Sequence, residues 1–182
     1  MNTSNRLDYW THAENPSRFS DLTDQLGHVF TAPLSDLFKF VDKRALDISR
    51  WSQLPSRIHG AVHSNQQEYF WILTQQSAHH SPLGFIHVQQ SQVQTNEVFI
   101  GYVLAPQYQG KGYASEAVAY VLTQIQSLFP QCTVITAHCA TENIGSQRVL
   151  EKCQFTRAKY LKNHRPKTPG TCGDSFKYQF FL

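Results

Sequence analysis

The chain predicts a single α/β domain, a central sheet flanked by helices. Three observations carry this reading. From Asn96 to Leu104 the chain alternates, with Val98, Ile100, Tyr102 and Leu104 on one face and Glu97, Phe99, Gly101 and Val103 on the other, the period of a central strand. From Ala114 the apolar residues Ala117, Val118, Val121, Leu122, Ile125 and Leu128 recur three and four apart until Phe129-Pro130 stops them, which is one buried helix stripe. Between the two lies Gln107-Tyr108-Gln109-Gly110-Lys111-Gly112-Tyr113-Ala114, a turn carrying two glycines.

The remaining elements follow in chain order. Phe19 to Phe30 and Leu34 to Trp51 both have helical spacing, and Pro33-Leu34-Ser35-Asp36 offers a start for the second. Gln53 to Gln67 is polar, contains Pro55 and Gly60, and reads as a mobile loop. Tyr69 to Thr74 and Leu83 to Gln89 form an antiparallel pair joined by a loop containing His79-His80, and Glu97 to Leu104 is the next strand. Downstream, Thr133 to Cys139 is a short strand. Asn143 to Lys152 is a second amphipathic helix, with Ser146, Val149, Leu150 and Cys153 expected on its inner face.

Composition bounds the function. A length of 182 residues suits one domain, divided into residues 1–65, with the helices and loop, and 69–182, with the strands. A net charge of +3 is too small to argue for nucleic acid as a partner. No apolar run approaches the roughly 20 residues of a membrane span, and Met1-Asn2-Thr3-Ser4-Asn5 opens no signal peptide, so a cytoplasmic location is expected. Cys132, Cys139, Cys153 and Cys172 contain no C-x-x-C pair and read as reduced packing residues; no metal is expected. His138 ends a strand close to Asn143, where packing is the commoner role.

The glycine turn opens a helix, whose first amides have no intrahelical partner and carry about half a positive charge, so anions are favoured there. Gly110 and Gly112 allow close approach and φ > 0. A dinucleotide fingerprint fits poorly: Gly110-Lys111-Gly112-Tyr113-Ala114-Ser115 ends on serine, and no acidic residue closes the Thr133–Cys139 strand to hold a ribose. A P-loop fits less well, because Lys111-Gly112 is not followed by Ser or Thr.

Two blocks carry a family resemblance. Gln107-x-x-Gly110-x-Gly112 is similar to the Q/R-x-x-G-x-G/A signature of the GCN5-related N-acetyltransferases (GNAT), and the segment from Asn143 to Phe155 resembles that family's N-x-x-S-x-x-x-x-E-K-x-G-F. Gly101-Tyr102, and Asp174 before Phe176-Lys177-Tyr178, resemble the RimJ/RimL-like branch, and the likeness covers Tyr69 to Leu182. Cys153 is read where a glycine is usual, as a local change of turn, and Phe99 stands where many relatives carry a glutamate.

The resemblance implies a GNAT-type mixed, mostly antiparallel sheet flanked by helices and splayed at an acetyl-CoA site. The pantetheine would enter beside Val103 and Leu104, where a backbone N–H would meet the oxyanion. The pyrophosphate would rest on the amides of Gln109, Gly110, Lys111, Gly112, Tyr113 and Ala114, with Gln107 fixing the turn. Lys111 would stand near the phosphates or serve as a solvated surface lysine. Asn143 would bond the pantetheine amide or the incoming amine, or cap its helix.

The implied reaction is direct attack of a primary amine on the thioester. Glu97 is the candidate base, acting through a water, against the alternative of a solvated strand-edge carboxylate. Many relatives donate a proton from a tyrosine seven or eight residues after the asparagine, where this chain has Leu150 and Glu151. In the RimJ/RimL-like branch that the chain resembles, the matching serine is the proposed proton donor, which makes Ser146 the candidate, against a small residue that only makes room for the cofactor, with Tyr102 and Tyr160 as substitutes. The N-terminal helices and the 53–67 loop would form the acceptor cleft of a monomer or homodimer. A protein N-terminus is the expected acceptor; a small-molecule amine, or a silent acyl-CoA-binding module, is the alternative.

Overall fold

Alternation in the strands and the three-and-four spacing in the helices resolve into one seven-stranded sheet with helices on both faces. The computed structural model describes residues 6–29, 58, 67–76, 81–168 and 171–182. The elements are β1 (Leu7–Trp10), α1 (Pro16–Val29), β2 (Glu68–Gln75), β3 (Pro82–Gln90), β4 (Glu97–Leu104), α2 (Tyr113–Leu128), β5 (Val134–Ala140), α3 (Ile144–Lys152), β6 (Thr156–Thr168) and β7 (Thr171–Phe181). The strand order is β1-β2-β3-β4-β5-β7-β6. Every pairing is antiparallel except β4 with β5.

Two cores explain the pattern. On one face, Ala117, Val118, Val121 and Ile125 of α2 pack on Val98, Ile100, Ile135 and Tyr178. On the other, Phe19, Leu22 and Leu26 of α1, spaced three and four apart, pack on Phe70, Ile72 and Phe85. Strands β2 and β3 are covered on both faces, so they read as nearly continuous apolar runs.

The β4–β5 contact positions the site. Only Glu97↔Val134, Val98↔Ile135 and Phe99↔Thr136 are paired, although β3 accompanies β4 to Leu104 and β7 accompanies β5 to Ala140. From Ile100 and Ala137 onward the two strands diverge, leaving a wedge whose edges are main chain. The mostly antiparallel, splayed sheet is the expected one.

Several details differ from the sequence reading. Strand β1 lies ahead of the first predicted helix; its four residues hold through pairing with Ile72–Gln75 of β2. Helix α1 begins at Pro16, three residues early, where the Asn15 side chain accepts a hydrogen bond from the Arg18 N–H (3.1 Å) and proline fills the first helical position. The helix expected over 34–51 lies outside the described residues, as does most of the 53–67 loop. Ile58 within that loop is helical and fully buried against α1, because an isoleucine there completes the apolar cluster. On α3 the buried residues are Gln147 and Leu150, while Ser146 and Val149 are half-buried. Gln147 is drawn inward by the carbonyl of Thr141, to which its Nε2 donates (2.8 Å). The glycine position of the second block falls at Gln154 rather than Cys153: Gln154 has φ 67°, the left-handed region that favours glycine, and Cys153 has φ −88°.

Candidate active site

The wedge opens into a cleft of about 590 Å³, floored by the end of β4 and walled by the N-termini of α2 and α3. Among the sequence-predicted residues it gathers Val103, Leu104, Gln109, Gly110, Gly112, Tyr113, Ala114, Asn143 and Ser146. Gln107 and Lys111 are exposed and are not among the lining residues, and Glu97 lies elsewhere.

The first wall is the glycine turn. Gly110 (φ 71°) and Gly112 (φ 85°) are both left-handed, and Gly112 is the N-cap of the 16-residue α2. No side chain caps the helix there, so its leading amides face the cleft without competition from their own chain. The turn is braced by Gln109, whose Nε2 donates to the Leu104 carbonyl (2.9 Å). Lys111 Nζ stands 5.9 Å from the Tyr108 ring centroid.

The second wall is the start of α3. Asn143 Oδ1 accepts from the Ser146 N–H (3.0 Å), so the asparagine caps its helix while lining the cleft. Ser146 Oγ lies 2.8 Å from the Tyr102 hydroxyl, and the pair faces the cleft. Burial pushes the Tyr102 hydroxyl well above the ordinary tyrosine range, the Ser146 hydrogen bond opposing it, so Tyr102 stays protonated. Arg148 and Lys152 add two exposed cations to the rim. The sequence reading missed them, although Gly145, Arg148, Val149 and Lys152 fall three and four apart on one helix face. It also missed Arg6, whose guanidinium lies 4.6 Å from the Tyr113 ring centroid and whose Nη1 donates to the Lys111 carbonyl (3.1 Å).

Glu97 sits at the opposite end of β4, seven residues or about 20 Å along the strand from Leu104. Its carboxylate is buried, accepts from Thr136 Oγ1 (2.7 Å) and pairs with Lys177 Nζ (2.9 Å). Burial alone would raise its pKa; the Thr136 and Lys177 hydrogen bonds, together with the nearby charge, outweigh it and hold Glu97 below the usual range. On the same sheet face, the His138 ring stacks on Phe99 at 5.8 Å and lies 4.7 Å from His164, whose Nδ1 bonds Ser175 Oγ (2.9 Å). Tyr160 is on β6, hydrogen-bonded to Asp174 and half exposed, so it is not in the cleft.

The family model for the acetyltransferase (GNAT) domain matches residues 37–156, about two thirds of the chain. The chain belongs to the GNAT acetyltransferase family. A curated relative, the uncharacterized N-acetyltransferase YnaD of Bacillus subtilis, is 41% identical over 70 residues. That match spans 37% of this chain and 39% of the relative. The GNAT fold is shared nearly end to end with the ribosomal-protein-S5-alanine acetyltransferase of Vibrio fischeri (TM-score 0.74, 17% identity, 96% of this chain and 91% of that one). It is shared also with the spermidine N-acetyltransferase of Vibrio cholerae, solved with CoA and spermine (TM-score 0.65, 16% identity, 97% and 95%). Among the described residues no group of three His, Cys, Asp or Glu is placed to hold a metal, and no helix is long and apolar enough to cross a membrane.

Proposed function

We propose that this GNAT protein moves an acetyl group from acetyl-CoA to a primary amine, and that its preferred acceptor is the α-amine of a protein or peptide N-terminus, as in the RimJ/RimL-like branch. One observation carries the reading: a single cleft joins the uncapped N-terminus of α2, the open edge of β4 and the Asn143–Ser146 corner. In this reading the pyrophosphate rests on the α2 amides between Gln109 and Ala114. Arg148 and Lys152 supply positive charge, and the pantetheine extends along Val103 and Leu104 toward the wedge.

The amine nitrogen attacks the thioester carbon, a C–N bond forms, and the carbonyl pair moves onto oxygen, where main-chain N–H of β4 stabilises it. As the oxyanion pair returns to re-form the carbonyl, the C–S bond breaks and its pair goes to sulfur, which takes a proton from Ser146 Oγ with the Tyr102 hydroxyl hydrogen-bonded behind it; the nitrogen loses one proton to water and Ser146 regains one from water. Glu97, locked between Thr136 and Lys177, joins β4, β5 and β7 in this scheme and does not serve the amine.

With no base assigned, the acceptor supplies its own free amine. An α-amine of pKa about 8 is about 9% unprotonated at pH 7, and a lysine amine of pKa about 10.4 only about 0.04%, a ratio of about 200 in favour of an N-terminus. Glu97, at the closed end of the wedge, is paired with Lys177 and offers no free anion to a polyamine. The fold shared with the spermidine enzyme favours a small-molecule amine as the second reading.

Thiol release from acetyl-CoA, followed with free-N-terminus peptides, Nα-blocked lysine peptides and spermidine, tests the assignment. Turnover concentrated on free N-termini is expected. Spermidine as the best acceptor would reverse the order of the two readings, and CoA binding with no turnover on any acceptor would leave a silent module. Gly112→Val should raise the KM for acetyl-CoA about tenfold, since a branched side chain in the left-handed region costs about 1–2 kcal/mol and its Cβ would press on Arg6 Nη2, 3.3 Å away, and so distort the turn. An unchanged KM would remove the phosphates from this turn.

A further inference from the structure

Arg6 lies 105 residues before Lys111 in the sequence, yet its contacts converge on the glycine turn. Its main-chain N–H and its Nε both donate to the Glu116 carboxylate, at 2.8 and 2.9 Å. Its Nη1 donates to the Lys111 carbonyl, and its Nη2 lies 3.3 Å from the position a Cβ would take on Gly112. Its own carbonyl accepts from the Gln76 N–H (3.2 Å), which extends the β1–β2 ladder by one rung. One residue thus ties the sheet edge, the first turn of α2 and the glycine turn together.

We propose that Arg6 is a positioning residue for the anion site at the head of α2, setting the donor affinity of the cleft without being a catalytic group. The proposal rests on the reading of that turn as the pyrophosphate cradle. Two physical effects support it. In a trans peptide the C=O and the following N–H point in opposite directions, so holding the Lys111 carbonyl toward Arg6 turns the Gly112 N–H away from it, and Gly112 lines the cleft. The second effect is electrostatic. Glu116 lies in the first turn of α2, where a carboxylate suits the helix dipole but opposes a bound anion, and the Arg6 guanidinium, donating to it through Nε, neutralises it.

The two effects separate in a double-mutant cycle read by calorimetric titration with CoA and, as a phosphate-free probe, pantetheine. Arg6→Ala should raise the CoA Kd about tenfold and leave the pantetheine Kd unchanged. Arg6→Lys, which keeps the charge and loses the fork, should fall between. In the Arg6→Ala background, Glu116→Gln should recover most of the loss by removing the exposed carboxylate, a recovery that simple loss of β1 packing would not give. Thermal melts of each variant establish that the fold persists. Equal weakening of CoA and pantetheine, or an unchanged CoA Kd in Arg6→Ala while the wild type prefers CoA strongly over pantetheine, would overturn the role of Arg6 and leave the cradle standing. A wild type that binds CoA no better than pantetheine would overturn the cradle itself, and Arg6 with it.

Discussion

Gly84 offers the sharpest test of the strand packing behind the cleft. It faces Leu104 across the β3–β4 ladder, and a Cβ built on it would lie 2.1 Å from the Val103 carbonyl oxygen, 2.7 Å from Leu104 Cδ2 and 2.9 Å from Leu104 Cα. A carbon and a carbonyl oxygen sit no closer than about 3.3 Å even in favourable contacts, so Gly84→Ala overlaps main chain by about 1 Å. The nearest atom is backbone and cannot turn aside, so β3 and β4 separate. Overpacking of this kind costs about 1–3 kcal/mol, and the neighbouring bond from the Ala105 N–H to the Leu83 carbonyl, 2.8 Å in the native chain, weakens by up to about 1 kcal/mol more. A total of about 1–4 kcal/mol corresponds, for a domain of this size, to a fall in Tm of about 2–16 °C. Because the displaced strand end carries Val103 and Leu104, the KM for acetyl-CoA should rise with it. Gly101→Ala is the matched control, since no atom lies within 4 Å of its Cβ position. The assays are thermal unfolding by circular dichroism and thiol-release kinetics. A Gly84→Ala melt within about 2 °C of wild type, or equal damage from Gly101→Ala, would refute the packing argument.

Two further predictions address the chemistry and the pH response. Tyr102→Phe removes the hydroxyl 2.8 Å from Ser146 Oγ and should lower kcat about tenfold with KM for acetyl-CoA unchanged, while Ser146→Ala should cost about a hundredfold; an effect confined to KM would mark the pair as packing. His138, whose residue surface is exposed, is lowered from 6.5 to about 4 by desolvation beside Phe99 and His164, with the charges of His164 and Lys177 adding to it and solvent screening reducing its weight. Between those values the unfolded chain binds a proton that the folded chain does not, so stability should fall as pH drops from 6.5 toward 4 and then stop responding to this group. Urea unfolding at several pH values in that window should show a shallower slope for His138→Gln, and parallel slopes would exclude the histidine as the cause.

Legibility in the sequence followed the range of the forces involved. β4, α2, β5 and α3 were readable because their periodicity is local and one face of each meets a core. The glycine turn was readable for the same reason, since two glycines and a helix start lie within eight residues. Strand β1 was not, because four residues with Asp8 among them form a strand only through β2, more than sixty residues away. Arg6 escaped notice on the same ground, as its partners Lys111 and Glu116 are 105 and 110 residues distant. Glu97 was correctly placed on its strand face, but Lys177, 80 residues on, is what buries and pairs it. Arg148 and Lys152 were within reach of the helical period and needed only to be set beside Asn143.

The three-residue junction between β4 and β5 makes the sheet a V: one arm runs from β1 to β4, the other from β5 through β7 to β6. Glu97, Thr136 and Lys177 lie at its apex and rivet a strand of the first arm to two strands of the second. Any spreading of the arms would therefore pivot there and be largest toward Leu104 and Ala140. On the proposed reading, a donor slotted between the arms would complete the ladder that the chain leaves unfinished. Amide hydrogen exchange over 100–104 and 137–140 would then slow when the slot is filled, while the apex, already closed, would exchange at an unaltered rate.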